Sequence, residues 1–201
     1  MKTVAIIGPN GQLGTDLVKT FSKQNWNVIP LKHSDIEITD IDSVYAVLKG
    51  LKFDWVINTA AFHKVDECEK DTATAWHVNA LGQKNVATIA AEQSARSVFI
   101  SSDYVFSGEK GSPYLPTDHV SPVNAYGHSK AGGELSSLSV SDRNIVMRIS
   151  SVFGSAGSSG KGGNFVETII NKAKSGDELK VVGDIKMSPT YTVDAAAKLE
   201  N

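Results

Sequence analysis

The chain has 201 residues, 41% of them hydrophobic and 21% charged, with a formal net charge of −2 and a single cysteine. That length suits one sizeable domain, and interspersed, nearly balanced charges give no electrostatic reason to expect nucleic acid or an anionic membrane as a partner. Cys68 alone cannot build a disulfide framework and fits a reducing cytoplasm. No run approaches the ~18 apolar residues of a membrane span, and the start "MKTVAIIGPNG" lacks the pattern of a signal peptide, so a cytoplasmic location is expected.

The first element, "TVAII" at 3–7, is an uninterrupted apolar run, the pattern of a parallel strand covered on both faces. It leads into "GPNGQLG", with Gly8, Gly11 and Gly14 at three-residue steps, and a helix is expected over 12–23. Glycine permits positive φ and lets the backbone approach a pyrophosphate, while a helix N-terminus offers N–H groups and partial positive charge. A tight turn alone could use the same residues. Opening a βα pattern, the triplet reads as a dinucleotide site.

The second strand is expected at 27–31, ending in "LKHSD". NAD sites usually place an acid there for the ribose 2′-OH. This chain has Lys32 and His33, with no acid before Asp35. A cation suits a 2′-phosphate, which favours NADP(H) with NAD(H) as the alternative; an exposed loop lysine would look the same.

Further along, helices are expected at 41–50, 72–94, 124–140 and 164–176, the last stopped by Gly176. Strands are expected at 54–60, 97–101, 144–150 and, briefly, 179–183. Strict alternation implies an α/β fold, a doubly wound and mostly parallel sheet of Rossmann type. "GSAGSSGKGG" (154–163) reads as a connector or as a loop over a site. The acidic run at Asp66, Glu67, Glu69 and Asp71 reads as a solvated helix start. The five histidines have no paired metal spacing, so no metal is expected. Cys68 lies among acids that disfavour a thiolate. Trp26, Trp55 and Trp76 read as packing residues.

Strand 97–101 delivers Ser102 to the carboxyl edge of the sheet, where ligands bind in such folds. Tyr126 and Lys130 stand at i and i+4, on one helical face. A nearby ammonium lowers a phenol's pKa, and Lys130 can also hold a nicotinamide ribose. Ser102 can bond a substrate carbonyl that Tyr126 protonates as hydride arrives.

Taken together, the glycine triplet, "SSDYVFSG", "PVNAYGHSK", "VINTAAFHKVDECE" and "SPTYTVDAA" resemble the extended short-chain dehydrogenase/reductase family, in its dTDP-4-dehydrorhamnose reductase branch. The resemblance runs over essentially the whole chain. It implies reduction of a keto group on a nucleotide-activated deoxysugar by NAD(P)H, with catalysis by Ser102, Tyr126 and Lys130. It implies cofactor contacts from Gly8, Gly11, Gln12, Leu13 and Gly14, from Lys32, Asp40 and Ile41, from Ala60, Ala61 and Phe62, and from Tyr126 and Lys130. Substrate contacts fall to Ser102, Asp103, Ser151 and Asn164.

Two departures stand out. Where the family usually carries a tryptophan that stacks on the deoxysugar, this chain has Ser151. The family's C-terminal lobe, which grips the nucleotide sugar, continues well beyond residue 201, so residues 154–201 are expected to give only its start. The partner expected is a nucleotide sugar, with a homodimer as the assembly. Two alternatives remain open: a nucleotide-sugar epimerase or dehydratase, against which Tyr104 counts because a dehydratase wants a second acid after Asp103, and a non-catalytic NADP-binding regulatory subunit. Members resembling this branch serve methionine adenosyltransferase in that second way.

Overall fold

A computed structural model describes residues 1–157 and 163–200, so residues 158–162 of the Gly/Ser stretch lie outside the described residues. The chain alternates β1 (Thr3–Ile7), α1 (Gln12–Lys23), β2 (Asn27–Leu31), α2 (Ile41–Lys49) and β3 (Trp55–Asn58). After α3 (Val65–Lys70) and α4 (Thr72–Trp76), a π turn (His77–Leu81) runs into α5 (Gly82–Glu92). There follow β4 (Arg96–Ser102), α6 (Ala125–Val140), β5 (Ile145–Ile149), α7 (Phe165–Ser175) and α8 (Thr192–Glu200).

The strands form one parallel sheet in the order β2-β1-β3-β4-β5. β1 shows why its apolar run is uninterrupted. Val4 and Ile6 point to one face, where they meet Leu17 and Phe21 of α1 and Ala195 and Ala196 of α8. Ala5 and Ile7 point to the other, against Val44 and Leu48 of α2 and Val86 and Ile89 of α5. Both faces are covered, so alternation would bury polar groups. Each such aliphatic or aromatic side chain contributes about 1.5–3 kcal/mol when fully buried. Pro30, which cannot donate to a ladder, sits in the edge strand β2.

Two expectations need correction, over 72–94 and 179–183. The expected helix 72–94 is two helices joined by the π turn, because Asn79 within the turn is drawn inward to other partners. The segment 65–70 is helical in its own right, with Asp66 and Glu67 in its first turn and Asp71 capping the next helix through the Thr74 N–H. The expected strand 179–183 pairs with no strand among the described residues; β5 hydrogen-bonds only to β4, and Val181 and Val182 stay exposed. Residues 192–200 form α8, which packs on α1 in the core.

The remaining elements match their patterns. α7 carries a capping box between Asn164 and Glu167 and ends at Gly176, φ +77°. None of its side chains is buried.

Candidate active site

The strand order reverses direction between β1 and β3, and there a cleft of about 2000 Å³ opens at the carboxyl ends of β1, β3 and β4. That space exceeds the few hundred to ~1,000 Å³ of an ordinary small-molecule pocket, leaving room for two ligands end to end.

The glycine turn forms its floor. Gly8 has φ +80°, and a Cβ there would meet Thr59 Oγ1 at 2.5 Å. Thr59 braces the turn, its hydroxyl lying within hydrogen-bond reach of the Ile7 carbonyl (2.8 Å) and the Gly8 carbonyl (3.0 Å). A Cβ at Gly14 would overlap the Gly8 carbonyl, so α1 could not start so close to β1 with any other residue. Gly11 is different: a Cβ there meets only the Gly8 carbonyl, at an ordinary 3.5 Å. The protein itself does not forbid a side chain at Gly11. As the N-cap of α1, Gly11 has no capping side chain, which leaves first-turn N–H groups to the cleft. Beside it, the buried Oε1 of Gln12 has no hydrogen-bond partner. A donor-starved acceptor, a bare helix N-terminus and an uncrowded glycine fit a dinucleotide.

At the β2 end, Lys32 and His33 line the cleft with Ile36, Glu37, Ile38 and Thr39. Glu37 is held down to about pKa 2, first by the Thr39 backbone N–H and then by His33, whose Nε2 lies 2.7 Å from it. Asp40 and Ile41 do not reach the cleft wall. Asp40 caps α2 by accepting from the Asp42 N–H, and Ile38 and Thr39 face the cleft instead.

Ala60, Ala61 and Phe62 form the next wall. Its shape is set by Asn79, which is fully buried in the π turn. The Asn79 amide accepts from the Phe62 N–H and donates to the Phe62 carbonyl, both at 2.9 Å, and also reaches Ser129 Oγ on α6 at 2.9 Å. Ser129 in turn donates to the Tyr126 carbonyl. One asparagine thus ties this wall of the cleft to the helix bearing Tyr126. Sequence reasoning missed it. The only signal was a polar residue at a core position of an apolar helix.

Ser102, Asp103, Tyr126 and Lys130 meet at the centre. Ser102 Oγ donates to Asp103 Oδ1 at 3.1 Å, and Ser150 Oγ donates to Asp103 Oδ2 at 2.6 Å. Burial pushes the Tyr126 phenol up to about 12; the charges of Asp103, Cys68 and Tyr104 add to this, against a hydrogen bond with Ser102. The phenol is therefore a protonated donor across the neutral range. The Lys130 Nζ donates to the Ile100 carbonyl at 2.5 Å and lies 4.2 Å from the Phe99 ring centroid. Burial depresses its pKa to about 7, partly offset by Glu134 and Cys68. Cys68 itself, buried and bonded to the Phe62 carbonyl, has its thiol pushed up by burial and by Glu69.

On the far side stand Ser151, exposed at φ +41° with its hydroxyl 3.1 Å from Met187 Sδ, and Asn164. The Asn164 side chain is engaged twice, accepting from the Glu167 N–H and donating to the Gly154 carbonyl. It borders the cleft while capping α7. Among the described residues, no group of three or more His, Cys, Asp or Glu could hold a metal, and no helix is long and apolar enough to cross a membrane.

Comparison with known proteins agrees with this geometry. A family model described as RmlD substrate binding domain matches residues 1–201. The dTDP-4-dehydrorhamnose reductase of Aggregatibacter actinomycetemcomitans is 36% identical over 99% of this chain and 66% of its own length. The spore coat polysaccharide biosynthesis protein SpsK of Bacillus subtilis is 39% identical over 98% and 68%. In structure, the dTDP-4-dehydrorhamnose reductase of Bacillus anthracis in complex with NADP superposes with a TM-score of 0.92 at 34% identity, covering 99% of this chain and 70% of that one. The chain thus spans about two thirds of the length of the relatives it matches. On its sequence, sheet and cleft, it belongs to the RmlD substrate binding domain family, within the extended short-chain dehydrogenase/reductases.

Proposed function

We propose that this chain carries the NAD(P)H site and the catalytic residues of a reductase acting on a keto group of a nucleotide-activated deoxysugar, a dTDP-4-dehydrorhamnose reductase-like activity. The observation that carries the reading is a half-buried, protonated Tyr126 beside Ser102 in a cleft whose other end is the Gly8–Gly14 turn.

NADP(H), when bound, supplies hydride to the substrate carbon. The first turn of α1 and Gly11 would hold the pyrophosphate, and Lys32 would meet a 2′-phosphate. Ser102 hydrogen-bonds the substrate carbonyl oxygen, and Tyr126 gives it a proton as negative charge develops. Asp103, fixed by Ser102 and Ser150, faces the sugar. Lys130, which lines the same cleft, would hold the cofactor ribose and supply positive charge near the phenol. Residues 154–201 contribute the start of the sugar-binding lobe; Phe165, Val181, Val182 and Ile185 among them are exposed on the cleft side. A homodimer is part of the same proposal; exposed Leu135 and Leu138 on α6, with Trp76 and Leu81 nearby in sequence to its packing partners, supply apolar surface for it.

The test is fluorescence titration with NADPH and NADH, followed by turnover on a panel of nucleotide ketosugars. Saturable NADPH binding with oxidation on a dTDP-4-keto sugar is expected. Binding without turnover on any sugar, in this chain and in a version extended to the length of its relatives, would favour the regulatory subunit instead.

A further inference from the structure

Glu134 is buried, at 5% exposure, one helical turn beyond Lys130 on α6. Residues at i and i+4 lie about 5–6 Å apart at Cβ, so its carboxylate and the lysine share one face. Tyr126, Lys130 and Glu134 form a single row down that face.

The carboxylate is held from two strands. Oε1 accepts from Ser101 Oγ at 2.6 Å and from Arg148 Nε at 2.8 Å, and Oε2 accepts from Arg148 Nη2 at 2.6 Å. Ser101 and Arg148 are register partners on β4 and β5. Arg148 also donates to the Pro116 carbonyl and lies 4.9 Å from the Phe106 ring centroid. A buried carboxylate this fully bonded cannot wander, and its charge stays in place.

We propose that Glu134 is a positioning residue of the site: clamped by Arg148 and Ser101 beside the strand residue whose carbonyl Lys130 bonds, it keeps Lys130 in its ammonium form. The inference rests on the reading that Lys130 serves the cofactor. Among the described residues, the titratable groups that act on Lys130 are Glu134 on its own helix and Cys68 on α3; the Ile100 carbonyl and the Phe99 ring on β4 contact its ammonium directly. Burial works against the ammonium, Cys68 is kept protonated by its own burial, and the Ile100 carbonyl carries only a dipole. Glu134 is the full negative charge in the set.

The experiment is a direct titration of Lys130 in the whole chain by NMR of ¹³C-labelled lysine, with the signal assigned by its loss in Lys130→Met. Glu134→Gln keeps shape and hydrogen bonding but removes the charge, and should lower the Lys130 midpoint by about one pH unit or more. Glu134→Asp restores the charge and should restore most of the shift. If Glu134→Gln does not fold, Arg148→Met serves: with its other cation gone, Glu134 acts more strongly on Lys130 and the midpoint should rise. A merely structural role would loosen both variants alike and give no opposed shifts. An unchanged midpoint in Glu134→Gln, or no rise in Arg148→Met, overturns the inference. NADPH affinity measured in parallel separates the two readings, since absence of binding to the native chain defeats the proposed function while the lysine titration stands on its own.

Discussion

Lys130 donates its ammonium to the carbonyl of Ile100 at 2.5 Å, two residues before Ser102 on the same strand. Burial disfavours the charged form of a lysine placed this way. Its pKa is depressed to about 7 from the ordinary 10.5. Between those values the unfolded chain holds a proton that the folded chain has lost, so stability rises as pH rises. Cys68, whose pKa is raised above 9.0, acts in the opposite sense only above that pH. The urea midpoint should therefore climb from about pH 7 to 9, and Lys130→Met should flatten the climb. A native midpoint that falls over that range would contradict the burial of a charged lysine.

The glycine turn separates two kinds of constraint. Gly14→Ala should destabilise the fold, because its Cβ would overlap the Gly8 carbonyl. Gly11→Val should fold, losing at most about 1 kcal/mol at the helix cap, yet lose NADPH binding as its side chain fills the pyrophosphate's place. Thermal melts and NADPH titration of both variants check this. Undiminished affinity in folded Gly11→Val would remove the dinucleotide from that turn.

Lys32 lines the cleft where β2 ends. Lys32→Ala should weaken NADPH by about tenfold, close to 1.4 kcal/mol, and leave NADH nearly unchanged, since only the former carries a 2′-phosphate. Paired titrations decide it, and equal losses would show a surface lysine.

Away from the cleft, Thr192 Oγ1 donates to Asp16 Oδ2 at 2.6 Å, joining α8 to α1 where both residues are buried. Thr192→Val keeps the volume and removes the donor. Hydrogen bonds to charged groups are worth about 1.5–3 kcal/mol, and a loss in that range is expected from urea unfolding.

The order of strands and helices was legible because each apolar run and each helical stripe is a local pattern. The same holds for Gly8, Gly11 and Gly14, and for Ser102, Tyr126 and Lys130, which the fold brings to one cleft. What escaped was long-range. Asn79 bonds Phe62 across 17 residues, and Asp16 meets Thr192 across 176. No periodicity encodes either pair. The segment 179–183 was misread because β-branched residues suit a strand only when a partner edge is at hand. Residues 192–200 escaped because short alanine-rich helices signal weakly until they pack; here Ala195 and Ala196 lie in the core.

The most direct measurement is the rate of NADPH oxidation by Tyr126→Phe with a dTDP-4-keto-6-deoxysugar, in this chain and in a version extended to the length of its relatives. Removing one hydroxyl should cut turnover by about 10²–10⁴-fold while leaving NADPH affinity within about twofold, because the phenol acts on the substrate oxygen. A Tyr126→Phe enzyme that keeps the native rate would contradict the account at its centre.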